Sequence, residues 1–222
     1  REPTGRDYNK RLYGWNRRKS FMYQIACIMG KSSSGKDHIY KALLEMEHLN
    51  LQKIIMYTTR PRRIGEQDGV EYYFVDDEAA KQYEDSKKII EMRQYNTVDG
   101  IWKYFTVDDG RIDLEKKRYL VIGTLDVYKK FCEYYGKDKI MPIYIEVDDG
   151  IRLERALKRE RKQKIPKYKE LCRRFLADSE DFSEEKLAQA GIYKRYPNEG
   201  DILECIHEVA RAIEENMSSS TI

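Results

Sequence analysis

Gly30-Lys31-Ser32-Ser33-Ser34-Gly35-Lys36-Asp37 follows the apolar run Ile25-Ala26-Cys27-Ile28-Met29 and leads into Ile39, Leu43 and Met46 at helical spacing. Strand, glycine-bounded loop, helix is the context that turns this short pattern into a phosphate cradle. Small residues let the backbone curl so that successive N–H groups face inward, and the helix N-terminus adds its positive dipole end. On this reading Gly30, Ser32, Ser33, Ser34 and Gly35 form the cradle, and Lys36 sets an ammonium on the outer phosphates of a nucleoside triphosphate. The pattern asks for Ser or Thr next, as a hydroxyl ligand for magnesium; Asp37 stands there instead. Its carboxylate suits Mg²⁺ directly or through water. It suits the first helical turn equally well as an acid with no metal role.

The chain of 222 residues is long enough for one sizeable domain with inserted subdomains. No apolar run approaches the roughly 18 residues of a membrane span. Net charge is +3, unevenly placed: residues 1–20 carry seven Lys/Arg and two acids, so the rest sums to about −2. A weakly acidic body argues against general nucleic-acid binding. Cys27, Cys132, Cys172 and Cys205 show neither metal-like spacing nor a paired motif, which points to a reducing cytoplasm. Residues 1–21 read as a basic arm rather than a signal peptide, because Gln24 interrupts the apolar stretch and no small-residue cleavage site follows it.

Lys53–Tyr57 reads as a second strand. Beyond it lies Thr58-Thr59-Arg60-Pro61-Arg62-Arg63-Ile64-Gly65-Glu66-Gln67-Asp68-Gly69-Val70-Glu71-Tyr72-Tyr73-Phe74-Val75. Pro61 bars a regular ladder or helix, so the arginines stand on an exposed turn. Such a turn suits bidentate grip of a phosphate, or is a solvated basic loop.

Together the phosphate loop and this segment resemble the guanylate kinase family, whose second motif reads roughly T-T-R-x-P-R-x-G-E-x-x-G-x-x-Y-x-F-V. Thr58, Thr59, Arg60, Arg63, Gly65, Glu66, Gly69, Tyr72, Phe74 and Val75 match its spacing, with the proline displaced to Pro61. Strands at Ile89–Met92 and Trp102–Thr106, turning over Asn96–Gly100, then resemble the family's monophosphate-binding subdomain. The resemblance implies that Arg60, Arg63, Tyr72 and Tyr104 hold the acceptor phosphate, and that Glu91, with Thr106 nearby, reads the guanine edge. Two departures concern the base. Met56 replaces a serine that reaches guanine in the family, and Leu120–Asp126 lacks the two acids of an L-D-x-D-x-Q-G motif, with Thr124 near the second of them.

Residues 111–118 read as a charged helix, Arg118–Gly123 as a buried parallel strand, Asp126–Tyr135 as a helix stopped by Gly136, and Ile140–Val147 as a strand weakened by Pro142. Ile151–Arg161 and Tyr168–Asp181 are helices rich in arginine. The resemblance makes them a lid, with Arg155 and Arg159 on its first helix and either Arg173 or Arg174 on its second; solvated helix faces are the plain alternative. Ile192–Asn198 reads as a short strand and turn, and Asn198 matches a family asparagine near the donor adenine. Asp201–Asn216 is the closing helix, and Met217–Ile222 a frayed polar tail.

The expected fold is an α/β P-loop domain of three layers over residues 22–222: a parallel-sheet core (22–54, 109–149, 182–222), an inserted β-rich nucleotide-binding subdomain (55–108) and a helical lid (150–181). The expected reaction is phosphoryl transfer from ATP–Mg²⁺ to a nucleoside monophosphate, with GMP as acceptor. A same-fold kinase with another acceptor, an ATPase or GTPase, and an inactive module that binds a phosphorylated partner are the alternatives.

Overall fold

The computed structural model describes residues 23–97 and 100–217; the expectations for the arm at 1–21 and the tail at 218–222 lie outside them. In chain order, β1 (Ile25–Met29) runs into α1 (Lys36–Glu45), a 3₁₀ turn and β2 (Leu51–Lys53). Next come β3 (Tyr57–Thr58), β4 (Tyr73–Phe74), α2 (Asp77–Asp85), β5 (Ile89–Thr97) and β6 (Gly100–Val107). Then follow β7 (Arg118–Ile122), α3 (Leu125–Tyr135), β8 (Ile140–Glu146), α4 (Asp149–Glu160) and α5 (Tyr168–Asp181). The chain closes with α6 (Glu184–Gln189), β9 (Tyr196–Pro197) and α7 (Ile202–Met217).

The larger sheet has the order β2-β7-β1-β8-β9, parallel throughout. Strand β1 lies in its middle, and all five of its residues are buried because both faces are covered. The strand period of two divides them. Ile25, Cys27 and Met29 pack with Val127, Tyr128 and Phe131 of α3. Ala26 and Ile28 pack with Ile39 and Leu43 of α1 and with Val209 and Ile213 of α7. Helices therefore flank both faces, as the strand–helix alternation predicts. The Cys27 thiol is pushed up by burial and acts as a small apolar group. Pro142 is tolerated in β8 because β9 pairs only at Ile145 and Glu146.

The smaller sheet has the order β4-β3-β6-β5. Its two long strands pair Glu91 with Thr106, Arg93 with Tyr104 and Tyr95 with Trp102, so these six side chains share one face. Phe105 and Val107, on the other face, join Tyr57 and Ala80 of α2 in a small core.

Four expectations are corrected. The strand expected at 53–57 is two strands, β2 pairing with β7 and β3 with β6 in different sheets; both pieces are β-prone, and the break comes from where their partners lie. Residues 111–118 form a single turn rather than a helix. Asp113 accepts from the amides of Glu115 and Lys116, and Arg118 already begins β7. The strand at 192–198 shrinks to Tyr196–Pro197. Met217 is no part of a tail: it ends α7 and is buried. Sequence reading also passed over α2 and α6, although Asp76 and Ser183 cap them by accepting from Ala79 and Lys186.

Candidate active site

The loop between β1 and α1 needs left-handed backbone at Ser33 (φ 64°) and Gly35 (φ 87°). A side chain at Gly35 would also collide with the Asn198 amide, so glycine is required there twice over. The Asn198 Nδ2 group donates to the Ser34 carbonyl at 2.8 Å, bracing the loop from the turn after β9. Ser34 is fully buried, and its hydroxyl has no partner among the described residues. The amides of Gly35, Lys36 and Asp37 likewise donate to nothing among the described residues. Free donors at a helix N-terminus make an anion site. Lys36 Nζ stands beside them, 3.9 Å from the exposed carboxylate of Asp37.

Two helices close over this loop. Arg159 of α4 donates to Ser33 Oγ at 3.2 Å, and Arg155 reaches the Glu199 carbonyl at 3.5 Å. Both line a cleft of 720 Å³ that also contains Ser33, Gly35, Asp37 and Asn198. Arg174 of α5 borders a recess shared with Ser32, Ser33 and Arg159. Arg173 instead forks onto Glu170 at 2.7 and 2.8 Å, and its side chain is 65% exposed. Arg174, 3.7 Å from the same Glu170 and 45% exposed, is the one of the two that borders this recess.

Sequence reading missed the groups that tie the loop to those helices. Arg152 of α4 is only 1% exposed. It donates to the Ser32 carbonyl at 2.9 Å and to Asp149 Oδ1 at 2.7 and 3.0 Å, and lies 3.5 Å from Asp178 Oδ2. The Ser32 amide donates to Asp178 Oδ2 at 2.8 Å, and Lys31 Nζ reaches Asp149 at 3.1 Å. Burial resists charge on Asp149, but the hydrogen bonds from Arg152 and Lys31 outweigh it and hold its carboxyl below the usual range. Nothing in the local spacing separates Arg152 from the solvated arginines around it; its burial is a tertiary fact.

The smaller sheet presents a second cleft, of 440 Å³, walled by Met56, Tyr72, Arg93, Tyr95, Trp102 and Tyr104. Arg93, on its wall, donates through Nε at 3.2 Å to Glu91, a buried carboxylate that also accepts from Thr106 Oγ1 at 2.9 Å. Glu91 and Arg93 also border a 590 Å³ cleft against the start of α3, with Thr124 and Asp126. Thr124 caps that helix by accepting from the Val127 amide.

The arginine turn divides its members. Arg60 is 3% exposed and forks onto Glu66 at 2.8 and 3.1 Å, beneath the rings of Tyr72 and Phe74. That hydrogen bonding raises the Arg60 pKa further, and the bonds from Arg60 and the Arg63 amide hold the Glu66 carboxyl below its usual range. Arg63 keeps an exposed guanidinium. Tyr72 and Tyr104 meet edge to face at 5.6 Å. The structure thus brings Glu91, Thr106 and Tyr104 to one face with Tyr72 against Tyr104, sets Arg60 on the Tyr72 ring, and leaves Arg63 exposed. The sequence signal for Arg93 was its place two residues beyond Glu91 on a strand, which puts both on one face.

The family model described as "Guanylate kinase" matches residues 22–215. The guanylate kinase of Porphyromonas gingivalis is 26% identical over 195 residues, covering 86% of this chain and 97% of that one. That of Latilactobacillus sakei is 40% identical over a shorter stretch of 71 residues, 32% of this chain and 35% of its own length. The crystal structure of guanylate kinase from Anaplasma phagocytophilum superposes with a TM-score of 0.54 at 23% identity, over 89% of this chain and 88% of that one, a likeness of fold. On the breadth of the family match, together with the loop, the arginine turn and the two clefts, this chain belongs to the guanylate kinase family.

Proposed function

We propose that this protein transfers the terminal phosphoryl group of ATP to GMP, giving ADP and GDP. The observation that carries the reading is the pair of complementary clefts. One offers free loop amides and Lys36 for phosphates; the other has aromatic walls and Arg93, whose partner Glu91 is a buried acceptor carboxylate on the adjoining cleft. A carboxylate suits guanine, whose N1–H and N2–H₂ are donors. In this reading residues 55–108 are the acceptor subdomain and 150–181 the lid.

The chemistry needs little covalent help. A GMP phosphate oxygen bonds to the γ-phosphorus as the bond to the β-phosphate oxygen breaks, and ADP leaves with that electron pair. The protein contributes position and positive charge. Loop amides and Lys36 hold the donor phosphates. Arg60, Arg63, Tyr72 and Tyr104 fix the acceptor phosphate, with Glu66 holding the Arg60 guanidinium against the Tyr72 ring. Arg155, Arg159 and Arg174 cover the migrating group and exclude water as α4 and α5 close. Asn198 braces the loop on the donor-base side.

The donor cleft suits a magnesium ion that arrives with ATP, since Asp37 offers it an exposed carboxylate beside Lys36, and Mg²⁺ commonly takes one or two carboxylates with phosphate oxygens and water. Held there, the ion would neutralise charge on the β- and γ-phosphates. Four free cysteines fit a reducing, cytoplasmic setting. Among the described residues no helix is long and apolar enough to cross a membrane.

Incubation with γ-labelled ATP and GMP tests the reading. Label should appear in GDP, and Lys36→Ala should slow its transfer by on the order of 10²–10³. Label released only as inorganic phosphate, at a rate indifferent to GMP, would overturn it.

A further inference from the structure

Arg93 lies between Glu91 and Met56 with its donors unequally matched. Its Nε donates to Glu91 Oε2 at 3.2 Å, while its Nη2 points at Met56 Sδ, 3.1 Å away. A thioether is a weak acceptor, so that second N–H gains little where it is. The salt bridge to Glu91 fixes the plane of the guanidinium, and the side chain is 29% exposed to the cleft walled by Tyr72, Tyr95 and Tyr104. A rigid donor thus stands next to a buried acceptor.

That juxtaposition has the pattern of one base. The guanine edge runs O6 acceptor, N1–H donor, N2–H₂ donor. A guanidinium beside a carboxylate meets it in that order, and arginine is the commonest specific partner of guanine O6 and N7. Adenine reverses both contacts: its N6 amino group would face the guanidinium, and its N1 lone pair the carboxylate. Two mismatches at a partly desolvated site are costly.

Resting on the proposed acceptor being GMP, we infer that Arg93 is a specificity-determining residue that donates to guanine O6, filling the role that Met56, having no hydroxyl, leaves open. Glu91 reads the N1 and N2 side, and the pair acts as one recognition unit. Selectivity for guanine is thereby retained in a cleft whose wall is a thioether.

The test crosses the protein with the base. kcat/KM is measured for the full chain and for Arg93→Met and Arg93→Lys with GMP, IMP and 2-aminopurine riboside monophosphate. GMP and IMP carry O6; the third lacks it but keeps the 2-amino group. Arg93→Met should lower kcat/KM by roughly 5- to 150-fold, the range for a good base-reading contact, equally on GMP and IMP and by less than about twofold on the 2-aminopurine compound. Arg93→Lys, which keeps the charge beside Glu91 but loses the fork, should fall between on the O6-bearing pair alone. An equal loss on all three substrates would overturn the inference, since Arg93 would then only position Glu91 or support the fold. KM for ATP separates folding from recognition and should stay unchanged in both variants. If the unaltered protein turns over none of the three, the proposed function fails and this inference with it; turnover of GMP that is indifferent to Arg93 overturns the inference alone.

Discussion

The donor loop and the acceptor cleft use charge in opposite ways. Around the loop, partners come from far along the chain: Arg152, Arg159 and Asp178 meet residues 32 and 33 from α4 and α5. In the acceptor cleft the charges are satisfied by near neighbours, Arg60 by Glu66 and Glu91 by Arg93. The acceptor side is thus pre-ordered by its own strands and turn. The donor side is assembled by docking helices, so its order depends on their position. Predictions can break this contrast from either side.

The largest effect belongs to Lys36→Ala. Removing a preorganised charge from the donor phosphates should lower kcat by on the order of 10²–10³, while GMP affinity, set by the other cleft, changes by less than about twofold. Steady-state kinetics with each substrate varied gives both values.

Arg174→Ala should lower kcat by roughly 10- to 100-fold as a lost charge over the migrating group, with Arg173→Ala near the unaltered rate. Arg173 is exposed and forked onto Glu170, whereas Arg174 has only a 3.7 Å contact with it and borders the recess beside the loop. Equal losses in the two variants would show that the lid turns α5 further when nucleotide binds.

Arg152→Met sharpens the contrast through stability rather than chemistry. It leaves Asp149 and Asp178 short of a buried partner. The expected cost is roughly 2 kcal/mol, below the range for a fully buried pair because the Asp149 side chain is 48% exposed. Denaturant titration checks it, and KM for ATP should rise with no change in KM for GMP.

The smallest effect is Glu66→Gln, read against pH. The Glu66 pKa is lowered by its bonds from Arg60 and the Arg63 amide. The stability it contributes is therefore present above the unfolded carboxyl value, about 4.3, and is lost as pH falls through the lower folded value. The variant should melt below the unaltered protein at pH 7, and the two melting temperatures should converge under acid conditions. A gap that persists there would assign the difference to packing.

Much of this was legible in the chain because it is local. The phosphate loop is eight consecutive residues whose geometry follows from Gly35 and the strand before it, and α5 has the bounds that its pattern predicts. Arg152 was not legible, because a buried arginine and a solvated one look alike within a run of arginines and glutamates. For Arg60, expected to hold the acceptor phosphate, the match to the motif says nothing about its pairing with Glu66 across the turn. The strand expected at 53–57 failed for a related reason. Propensity marks β-prone residues, but the sheet each piece joins is decided by β7, 67 residues further on, and β6, 46 to 48 residues further on.

The central claim is that the two clefts serve ATP and guanine respectively. ADP release from ATP–Mg²⁺, measured with GMP, dGMP, AMP, CMP and UMP in turn, tests it most directly. Turnover confined to GMP and dGMP is the predicted result. Turnover with AMP or a pyrimidine nucleotide at a comparable rate, or none with GMP, would contradict it.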